Sequence, residues 1–312
     1  MSVPVFSREA VLEAVSPRDA YAAVRNAFVA HHLGEWAMQP KLYVTNYPAG
    51  DFRAMPAIGG GHALLKWVTS FPGNPALGLP TVTGIVVLSN SETGQLEAVL
   101  DAASVTALRT AAAGVLAADT LGRENGSSVA VVGCGVNGAE TVRMFVAHGR
   151  TPVVWDVDEA RRRFVADQFG AEVADSLDEA LSREVVVTVT PGRDVLFPQG
   201  SLRPGQHVSL MGADGPGKAE IATQELGRAL LFCDDWGQAS HGGELAAGVA
   251  SGLVDREDVT ELGAVLAGNA RGRVGEDDVT LFDSTGLAIQ DLAIARAALL
   301  HSVELDLPRL EL

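Results

Sequence analysis

A glycine-rich turn carries the clearest chemical signal in the chain. In the string SSVAVVGCGVNG, the residues Gly133, Gly135 and Gly138 have GxGxxG spacing, after an apolar run and at the start of a helical pattern. In that context the first glycine allows a tight turn, the second lets the backbone approach a pyrophosphate, and the third permits close packing of helix and strand. The helix N-terminus, at Val136 and Asn137, offers N–H groups to phosphate. The string therefore predicts a dinucleotide site.

An acidic residue at the end of the next strand-like run bears on the choice of dinucleotide. The run TPVVWD ends at Asp156, about 20 residues after the glycine turn, where a carboxylate accepts hydrogen bonds from the adenosine ribose. The same carboxylate repels a 2′-phosphate. Three arginines one turn later, at 161–163, fit a solvated helix face. The pattern predicts NAD(H) rather than NADP(H) as the cofactor.

Three charged residues stand where an amino or keto acid can be bound. Lys66 lies within the apolar run LLKWVTSF, where a charge is costly unless it has a partner. Arg109 lies among alanines, and a guanidinium presents a planar fork to a carboxylate. Asp214 follows the run HVSLM, at the carboxyl end of a predicted strand, where parallel sheets bind their ligands. The alternatives are a lysine that reaches solvent from a strand edge, an exposed helix arginine and an aspartate that caps a helix.

The first of two regions that must position these residues is rich in β-like runs. Apolar spacings of three and four predict helices over residues 7–33, the second of them beginning at Ser16-Pro17. A further, alanine-rich helix is predicted over 102–121. Clusters of Gly, Pro and Asn separate the β-like runs between them, which predicts an antiparallel or mixed sheet. These runs are 41–45, 52–56, 64–71, 82–89 and 96–101.

In the second region strands alternate with helices. It begins after a polar stretch at 123–126, which is interpreted as a linker, and an apolar helix at 286–302 follows it. Six strands predict a doubly wound parallel sheet. We therefore predict an α/β protein with a Rossmann domain over 123–285 and an N-terminal β-rich α+β domain over 1–122, which the C-terminal segment 286–312 rejoins. The predicted strands are 128–132, 152–156, 185–189, 207–211, 229–233 and 279–283.

Composition excludes several classes of partner. The 312 residues include 39 acidic and 23 basic side chains, with a formal net charge of −16, so a nucleic acid is not expected to bind. The two cysteines, Cys134 and Cys233, form no CxxC pair, and the histidines share no metal-ligand spacing, so no metal is expected. Neither a signal peptide nor an apolar run of roughly 20 residues is evident. We therefore expect a cytoplasmic protein without a membrane partner.

Several short strings, taken in chain order, resemble the ornithine cyclodeaminase/μ-crystallin family, which also includes alanine dehydrogenases and ketimine reductases. As in that family, the dinucleotide-binding region comes second, after a β-rich region. The strings are QPK (39–41), MP (55–56), KWVT (66–69), GLPTV (78–82), TALRTAA (106–112), GCG (133–135), GADGPGK (212–218) and GLAIQD (286–291).

The resemblance implies roles for individual residues. Lys66 and Arg109 would hold the carboxylate of the substrate, and Asp214 would take a proton from the amine or from water. Domain 1–122 would bind the substrate and form a homodimer, while domain 123–285 would bind NAD(H). Further positions would line the site, with Met55 on the substrate side and Thr81, Thr110 and Thr190 on the cofactor side.

Two positions depart from the cyclodeaminases. In that branch an arginine takes the place of Lys41, and a glutamate two residues before the Met-Pro string grips the distal ammonium of ornithine. Here the second position is Arg53, whose permanent charge repels such an ammonium. The pair resembles the archaeal alanine dehydrogenase branch. Lys41 would then be the electrophilic or acid–base partner of Asp214, and Arg53 would add to the carboxylate site, unless Lys41 is a surface residue and Arg53 a chance exchange.

The predicted activity is NAD(H)-dependent hydride transfer at the Cα of a small α-amino or α-imino acid, as in an amino-acid dehydrogenase or an imine reductase. The partners are then a small amino, keto or imino acid and a second copy of the chain. Conversion of ornithine to proline and ammonia is an alternative that Arg53 disfavours. A non-catalytic, crystallin-like protein that binds NAD(P)H or another ligand is a second alternative, which Asp214 disfavours because binding alone does not need that aspartate.

Overall fold

The chain divides into two compact units. The computed structural model describes residues 2–123, 128–192, 194–213, 215 and 217–312. The first unit runs up to Arg109 and includes Leu287–Leu312, and the second unit is Thr110–Gly286. Most of the predicted linker at 123–126 lies outside the described residues. The functional domains predicted over 1–122 and 123–285 stay predictions.

Strands and helices are numbered in chain order. Up to residue 121 they are β1 (Ser2–Phe6), α1 (Arg8–Ala14), α2 (Pro17–His32), β2 (Ala37–Met38), β3 (Leu42–Asn46), β4 (Gly50–Gly59), β5 (His62–Ser70), β6 (Val82–Asn90), β7 (Leu96–Asp101) and α3 (Ala102–Leu121). From residue 129 they are β8 (Val129–Val132), α4 (Val136–Ala147), β9 (Val153–Trp155), α5 (Glu159–Phe169), β10 (Glu172–Val173), α6 (Leu177–Leu181), β11 (Val185–Thr188), β12 (His207–Leu210), α7 (Thr223–Leu226), β13 (Leu230–Cys233), α8 (Trp236–Gly242), α9 (Ala246–Ala250), β14 (Val259–Glu261), α10 (Leu262–Leu266) and β15 (Thr280–Asp283). The last two are α11 (Ala288–Leu300) and β16 (Arg309–Glu311).

The first unit is built on a mixed sheet of eight strands. Its order is β16-β1-β7-β6-β5-β4-β2, and β3 pairs with β4. All pairs are antiparallel except β1 with β7. Helix α11 packs against α2, β4 and β5. The prediction of an antiparallel or mixed sheet is confirmed, and the parallel pair of β1 and β7 makes the sheet mixed. The sequence did not indicate β1, β2 or β16.

Helix starts in the first unit follow local chemistry. The side chain of Ser16 accepts a hydrogen bond from the Asp19 N–H, and Pro17 occupies the first helical position, where its missing N–H costs nothing. Ser7 caps α1 in the same way. The predicted start of a second helix at Ser16-Pro17 is confirmed.

The second unit is built on a parallel sheet of eight strands in the order β10-β9-β8-β11-β12-β15-β13-β14. The strand order reverses at β8, whose neighbours are β9 and β11, and such a switch point is where an open α/β sheet binds its ligand. All six predicted strands are present, and β10 and β14 add one short strand at each edge. The predicted doubly wound fold is confirmed. Within the described ranges, no helix has the length and apolar character that a membrane crossing needs.

Candidate functional site

Lys66 is the centre of a buried charge cluster in the first unit. Only 1% of the residue is exposed. Its Nζ lies 2.9 Å from Asp291 Oδ1 and donates a second hydrogen bond, also of 2.9 Å, to Thr106 Oγ1. Burial lowers the pKa of Lys66 to about 8, helped by the charges of Arg109 and Arg53 and opposed by Asp291. The side chain therefore does not reach solvent from a strand edge.

Arg109 belongs to the same cluster. Its Nε lies 3.5 Å from Asp291 Oδ1, and its Nη1 donates to Gln290 Oε1 at 3.5 Å. The side chain of Arg109 is 12% exposed and that of Asp291 is fully buried, so Arg109 is not an ordinary exposed helix residue. We call Lys66, Thr106, Arg109, Gln290 and Asp291 the Lys66 cluster.

The Lys66 cluster has an excess of positive charge and, in the described part of the chain, several polar atoms without hydrogen-bond partners. It sets two cations, Lys66 and Arg109, against the single carboxylate of Asp291, which leaves one positive charge in excess. Among the described residues, Arg109 Nε, Gln290 Nε2 and Asp291 Oδ2 are buried without a hydrogen-bond partner, which is costly unless a ligand satisfies such groups. A small anion with its own acceptors suits the excess positive charge and the two donors, Arg109 Nε and Gln290 Nε2, that lack a hydrogen-bond partner within the described ranges.

The sequence did not single out Asp291 as a site residue. It lies in the string GLAIQD (286–291), on α11, and 225 positions separate it from Lys66. The signal that the sequence offers is a carboxylate within the predicted apolar helix 286–302, because such a group, once buried, needs a partner.

Strand β4 carries the other predicted substrate residues. Met55 pairs with Lys66 and Arg53 with Val68, which puts Arg53 and Met55 on the face that bears Lys66. Met55 is buried, at 3% exposed. Arg53 Nε lies 2.6 Å from Asp51 Oδ1, and its guanidinium lies over the Tyr43 ring, 5.3 Å from the centroid.

Lys41 and Thr81 occupy connecting segments of the first unit. Lys41 is half-buried and directly precedes Leu42, which pairs with Ala54 on β4. Thr81 is half-buried, and its carbonyl accepts a hydrogen bond from the N–H of Phe71. Their predicted roles stay predictions.

In the second unit the glycine turn has the geometry that the motif requires. Gly133 has φ +105°, a conformation that side chains rarely adopt, and its N–H donates to Trp155 O at 2.7 Å. A Cβ on Gly138 would overlap the carbonyl oxygen of Gly133, so helix and turn pack as closely as glycine allows. A Cβ on Gly135 would meet nothing within 4 Å, and no side chain caps α4. The turn thus leaves open space before uncapped N–H groups at Val136 and Asn137, which fits a pyrophosphate.

Asp156 is fixed beside this turn. Its two oxygens accept hydrogen bonds from the backbone N–H groups of Cys134, at 2.6 Å, and Asp158, at 2.8 Å. A carboxylate oxygen has two acceptor positions, so each retains one for a ribose hydroxyl. Burial raises the pKa of Cys134 to about 12, which leaves the thiol unreactive.

Thr190 is tied to a buried carboxylate that the sequence did not reveal. Glu220 is fully buried. Its Oε1 accepts from the hydroxyl of Thr190 at 2.6 Å and from its N–H at 3.3 Å, and its Oε2 accepts from the Thr188 hydroxyl at 2.6 Å and the Gly212 N–H at 2.9 Å. Burial raises the pKa of Glu220, and these four donors oppose the shift. Glu220 therefore joins the carboxyl ends of β11 and β12.

Two further predicted residues of the second unit remain. The hydroxyl of Thr110 is buried and has no hydrogen-bond partner among the described residues, and its predicted role at the cofactor stays a prediction. Asp214 lies outside the described residues, so its predicted role stays a prediction. In the described parts of the chain, no group of three or more His, Cys, Asp or Glu side chains is placed to hold a metal ion.

Comparison with known proteins places this geometry in context. The family model described as the ornithine cyclodeaminase/mu-crystallin family matches residues 3–301. An alanine dehydrogenase of Archaeoglobus fulgidus is 40% identical over 303 residues, which cover 95% of this chain and 94% of that protein.

Two solved structures extend the similarity to the fold. One is an archaeal alanine dehydrogenase dimer with bound NAD, with a TM-score of 0.93 and 38% identity over 100% of this chain and 99% of that one. The other is the iminosuccinate reductase of Paracoccus denitrificans in complex with NAD⁺, with a TM-score of 0.90 and 25% identity over the full length of both chains.

Proposed function

This chain is a member of the ornithine cyclodeaminase/mu-crystallin family, and we propose that it is an NAD(H)-dependent enzyme that transfers a hydride at the Cα of a small α-amino or α-imino acid. The family match confirms the resemblance drawn from the short strings. One observation carries the proposal: the Lys66 cluster buries two cations against one carboxylate and leaves polar groups without partners. A substrate carboxylate supplies the missing charge and acceptors.

We assign the substrate to the first unit and the dinucleotide to the second. The residues that would hold NAD(H) are Gly133, Gly135, Val136, Asn137 and Gly138 at the pyrophosphate, Asp156 at the ribose, and Thr81, Thr110 and Thr190 elsewhere along the cofactor. When bound, NAD(H) supplies or accepts the hydride. The similar archaeal dehydrogenase and iminosuccinate reductase bind the same cofactor, which supports this choice.

The chain's own residues position and polarise the substrate. Lys66 and Arg109 hold its carboxylate, and Met55, opposite Lys66 on β4, packs against its body. Asp214 takes a proton from the amine or from water, and Lys41 is its electrophilic or acid–base partner. Arg53, the further predicted carboxylate ligand, is paired with Asp51.

Cyclodeamination of ornithine is disfavoured by the charges on β4. That reaction needs an anion to hold a distal ammonium, and the position from which the resemblance expects a glutamate is occupied by Arg53. The nearby carboxylate of Asp51 is already paired with this arginine at 2.6 Å. A distal ammonium would therefore be repelled by Arg53, and the carboxylate of Asp51 is already engaged in an ion pair.

We further propose that the chain forms a homodimer through the outer face of the first unit's sheet. The strand register places six large exposed apolar residues of β3, β4, β5 and β6 on the face opposite Lys66, and a contiguous apolar face of this kind marks an interface. The similar alanine dehydrogenase was solved as a dimer. These residues are Leu42, Val44, Ile58, Leu65, Trp67 and Ile85, each 39–63% exposed.

We also infer that the protein works in the cytoplasm, since its two free cysteines suit a reducing compartment.

The proposed activity is tested by following NADH in the presence of pyruvate and ammonium, other 2-keto acids with ammonium, and cyclic imines. We expect NADH to be consumed in a one-to-one ratio with the amino acid formed. Ornithine is run beside them with detection of proline and ammonia. Formation of proline and ammonia without net change in NADH would establish cyclodeamination instead. Binding of NADH without turnover of any of these compounds would establish a non-catalytic ligand-binding protein.

A further inference from the structure

Arg53 and Asp51 form a two-point ion pair on β4. Arg53 Nε donates to Asp51 Oδ1 at 2.6 Å, and Nη2 donates to Oδ2 at 3.4 Å. The exposed fraction of the side chain is 12% for Arg53 and 7% for Asp51, so water screens the pair weakly. Tyr47 adds a hydroxyl 3.5 Å from Asp51 Oδ2. Two parallel N–H···O contacts fix the guanidinium in direction as well as in charge.

The pair lies next to the Lys66 cluster. Alternate residues of a strand share a face, so Asp51, Arg53 and Met55 point to the same side of β4, and Met55 stands opposite Lys66. The charge of Arg53 is felt at Lys66, whose pKa it lowers. A substrate whose carboxylate sits at Lys66 therefore has Arg53 and Asp51 among the charged groups on the same face of the sheet.

We propose that Asp51 is a specificity-determining residue: by pairing with Arg53 it denies a counter-ion to any charged group on the substrate side chain, and so selects small monocarboxylic α-keto, α-imino and α-amino acids. This inference rests on the proposed function. A second carboxylate would have to compete with Asp51 for Arg53, and a distal ammonium would have to compete with Arg53 for Asp51. An uncharged side chain makes neither demand.

The alternative is that Arg53 is a ligand for a second carboxylate and that the substrate is dicarboxylic. The relatives leave this open, since one similar protein is an alanine dehydrogenase and another is an iminosuccinate reductase. The two possibilities differ in what removal of the Asp51 charge does. If the carboxylate of Asp51 blocks the guanidinium of Arg53 by pairing with it, removal of the Asp51 charge makes Arg53 available to a second carboxylate.

The experiment compares the wild-type protein with Asp51→Asn, which keeps the shape of the side chain and removes its charge. Consumption of NADH is measured with pyruvate and with oxaloacetate, each with ammonium. We expect the wild type to favour pyruvate. In Asp51→Asn, the ratio of kcat/KM for oxaloacetate to that for pyruvate should rise by about 10- to 100-fold, the range of one hydrogen bond to a charged group. Tyr47→Phe is the matched control, because it removes a neighbour of Asp51 without changing any charge, and its ratio should stay within about twofold of the wild type.

A second variant keeps the test decisive if Asp51→Asn does not fold. Arg53→Gln leaves Asp51 without its partner, so oxidation of 2,4-diaminobutyrate relative to alanine should rise by about tenfold or more, while the oxaloacetate ratio should not rise.

The outcomes separate this inference from the proposed function. A wild-type preference for oxaloacetate, or unchanged substrate ratios in folded, active variants, would overturn the role of Asp51 and leave hydride transfer intact. A wild-type protein that consumes NADH with none of these acids would overturn the proposed function itself.

Discussion

The proposed binding sites of the two units are built in different ways. The Lys66 cluster of the first unit consists of side chains, and its charged members come from β5, α3 and α11. The glycine turn of the second unit is almost entirely backbone, and its residues follow one another between β8 and α4. A site made of side chains brings charge to the ligand but must bury that charge beforehand. A site made of backbone brings open space and N–H groups at little electrostatic cost.

The two buried carboxylates of these sites show the same contrast. Glu220, in the second unit, accepts four hydrogen bonds from hydroxyl and backbone donors. Asp291, in the first unit, is paired with two cations through one oxygen, while its second oxygen has no hydrogen-bond partner among the described residues. All four donors thus satisfy the carboxylate of Glu220, whereas the carboxylate of Asp291 keeps one acceptor oxygen unsatisfied within the described ranges.

The largest effect is expected from Asp291→Asn. Removing one partner of a buried ion pair leaves the other charge uncompensated, at a cost of about 3–5 kcal/mol in the free energy of unfolding. Denaturant titration measures this loss. The double variant Lys66→Met/Asp291→Asn should recover part of it, because the buried ammonium is then gone as well. Equal stability of Asp291→Asn and the wild type would mean that the cluster is not a coupled charge site.

A smaller effect, and of another kind, is expected at the glycine turn. Gly138→Ala puts a methyl group into the carbonyl of Gly133, and we expect a loss of roughly 1–3 kcal/mol in stability together with impaired NADH binding. Gly135→Ala is the matched control, since its methyl group meets nothing within 4 Å and the backbone φ of −73° suits alanine. Gly135→Ala should keep the wild-type Tm. Its affinity for NADH should nevertheless fall about tenfold, because the added methyl group blocks the approach of the pyrophosphate. Two variants with the same loss of Tm would contradict this distinction.

Substrate binding at the Lys66 cluster, unlike dinucleotide binding at the backbone of the glycine turn, is expected to depend on the titration of a side chain. Burial lowers the pKa of Lys66 to about 8 from its ordinary value of 10.5. Because the depressed pKa disfavours the ammonium form in the folded protein, Lys66 destabilises the fold below about pH 8 and ceases to do so as the pH rises towards 10.5. Binding of a substrate carboxylate needs the ammonium form, so affinity should fall about tenfold per pH unit above about 8.

Oxamate, a non-reacting analogue of pyruvate, avoids the titration of ammonia in this measurement. Its Kd is determined between pH 6 and 10, in the presence of NADH. Lys66→Arg carries a charge that does not titrate in this range, so its profile should be flat. A profile for the wild type as flat as that of Lys66→Arg would show that Lys66 does not contact the carboxylate.

The smallest effect is expected on the choice of cofactor. Asp156→Ser removes the carboxylate that repels a 2′-phosphate, and the ratio of kcat/KM with NADPH to that with NADH should rise by about tenfold, or 1.4 kcal/mol. Asp158→Ser, which changes the next acidic residue along the chain, is the control. If both variants shift the ratio equally, the general charge of the segment, and not the fixed carboxylate of Asp156, governs the choice.

Local features made much of the fold predictable. Ser16-Pro17 marked a helix start, the alanine-rich run at 102–121 became α3, and six apolar runs became strands of the parallel sheet. Strands β1 and β16 pair with each other although they are about 300 residues apart in sequence. No local sequence pattern predicts such a pairing. The short strands β10 and β14 bury few residues of their own, so they lack the apolar periodicity that marks the other strands.

The sites follow the same rule. The glycine turn could be predicted because its chemistry lies within six consecutive residues. Lys66 could be predicted because it is a charged residue in an apolar run. Asp291 and Glu220 could not be assigned, since their partners are distant in sequence and only the fold brings them together. The role of Asp51 is hidden for a different reason: its partner lies two residues away on the same strand, but the sequence does not show that the pair is buried.

Transfer of the hydride to Cα can be followed directly with NADH that carries deuterium at both C4 positions of the nicotinamide, so that either hydrogen the enzyme transfers is labelled. The protein is incubated with this NADH, pyruvate and ammonium, and the alanine formed is analysed by mass spectrometry and NMR. We expect one deuterium on the Cα of alanine for each NADH consumed. Alanine without deuterium at Cα, or no alanine from any small keto acid while ornithine is converted to proline with no net loss of NADH, would contradict the proposed function.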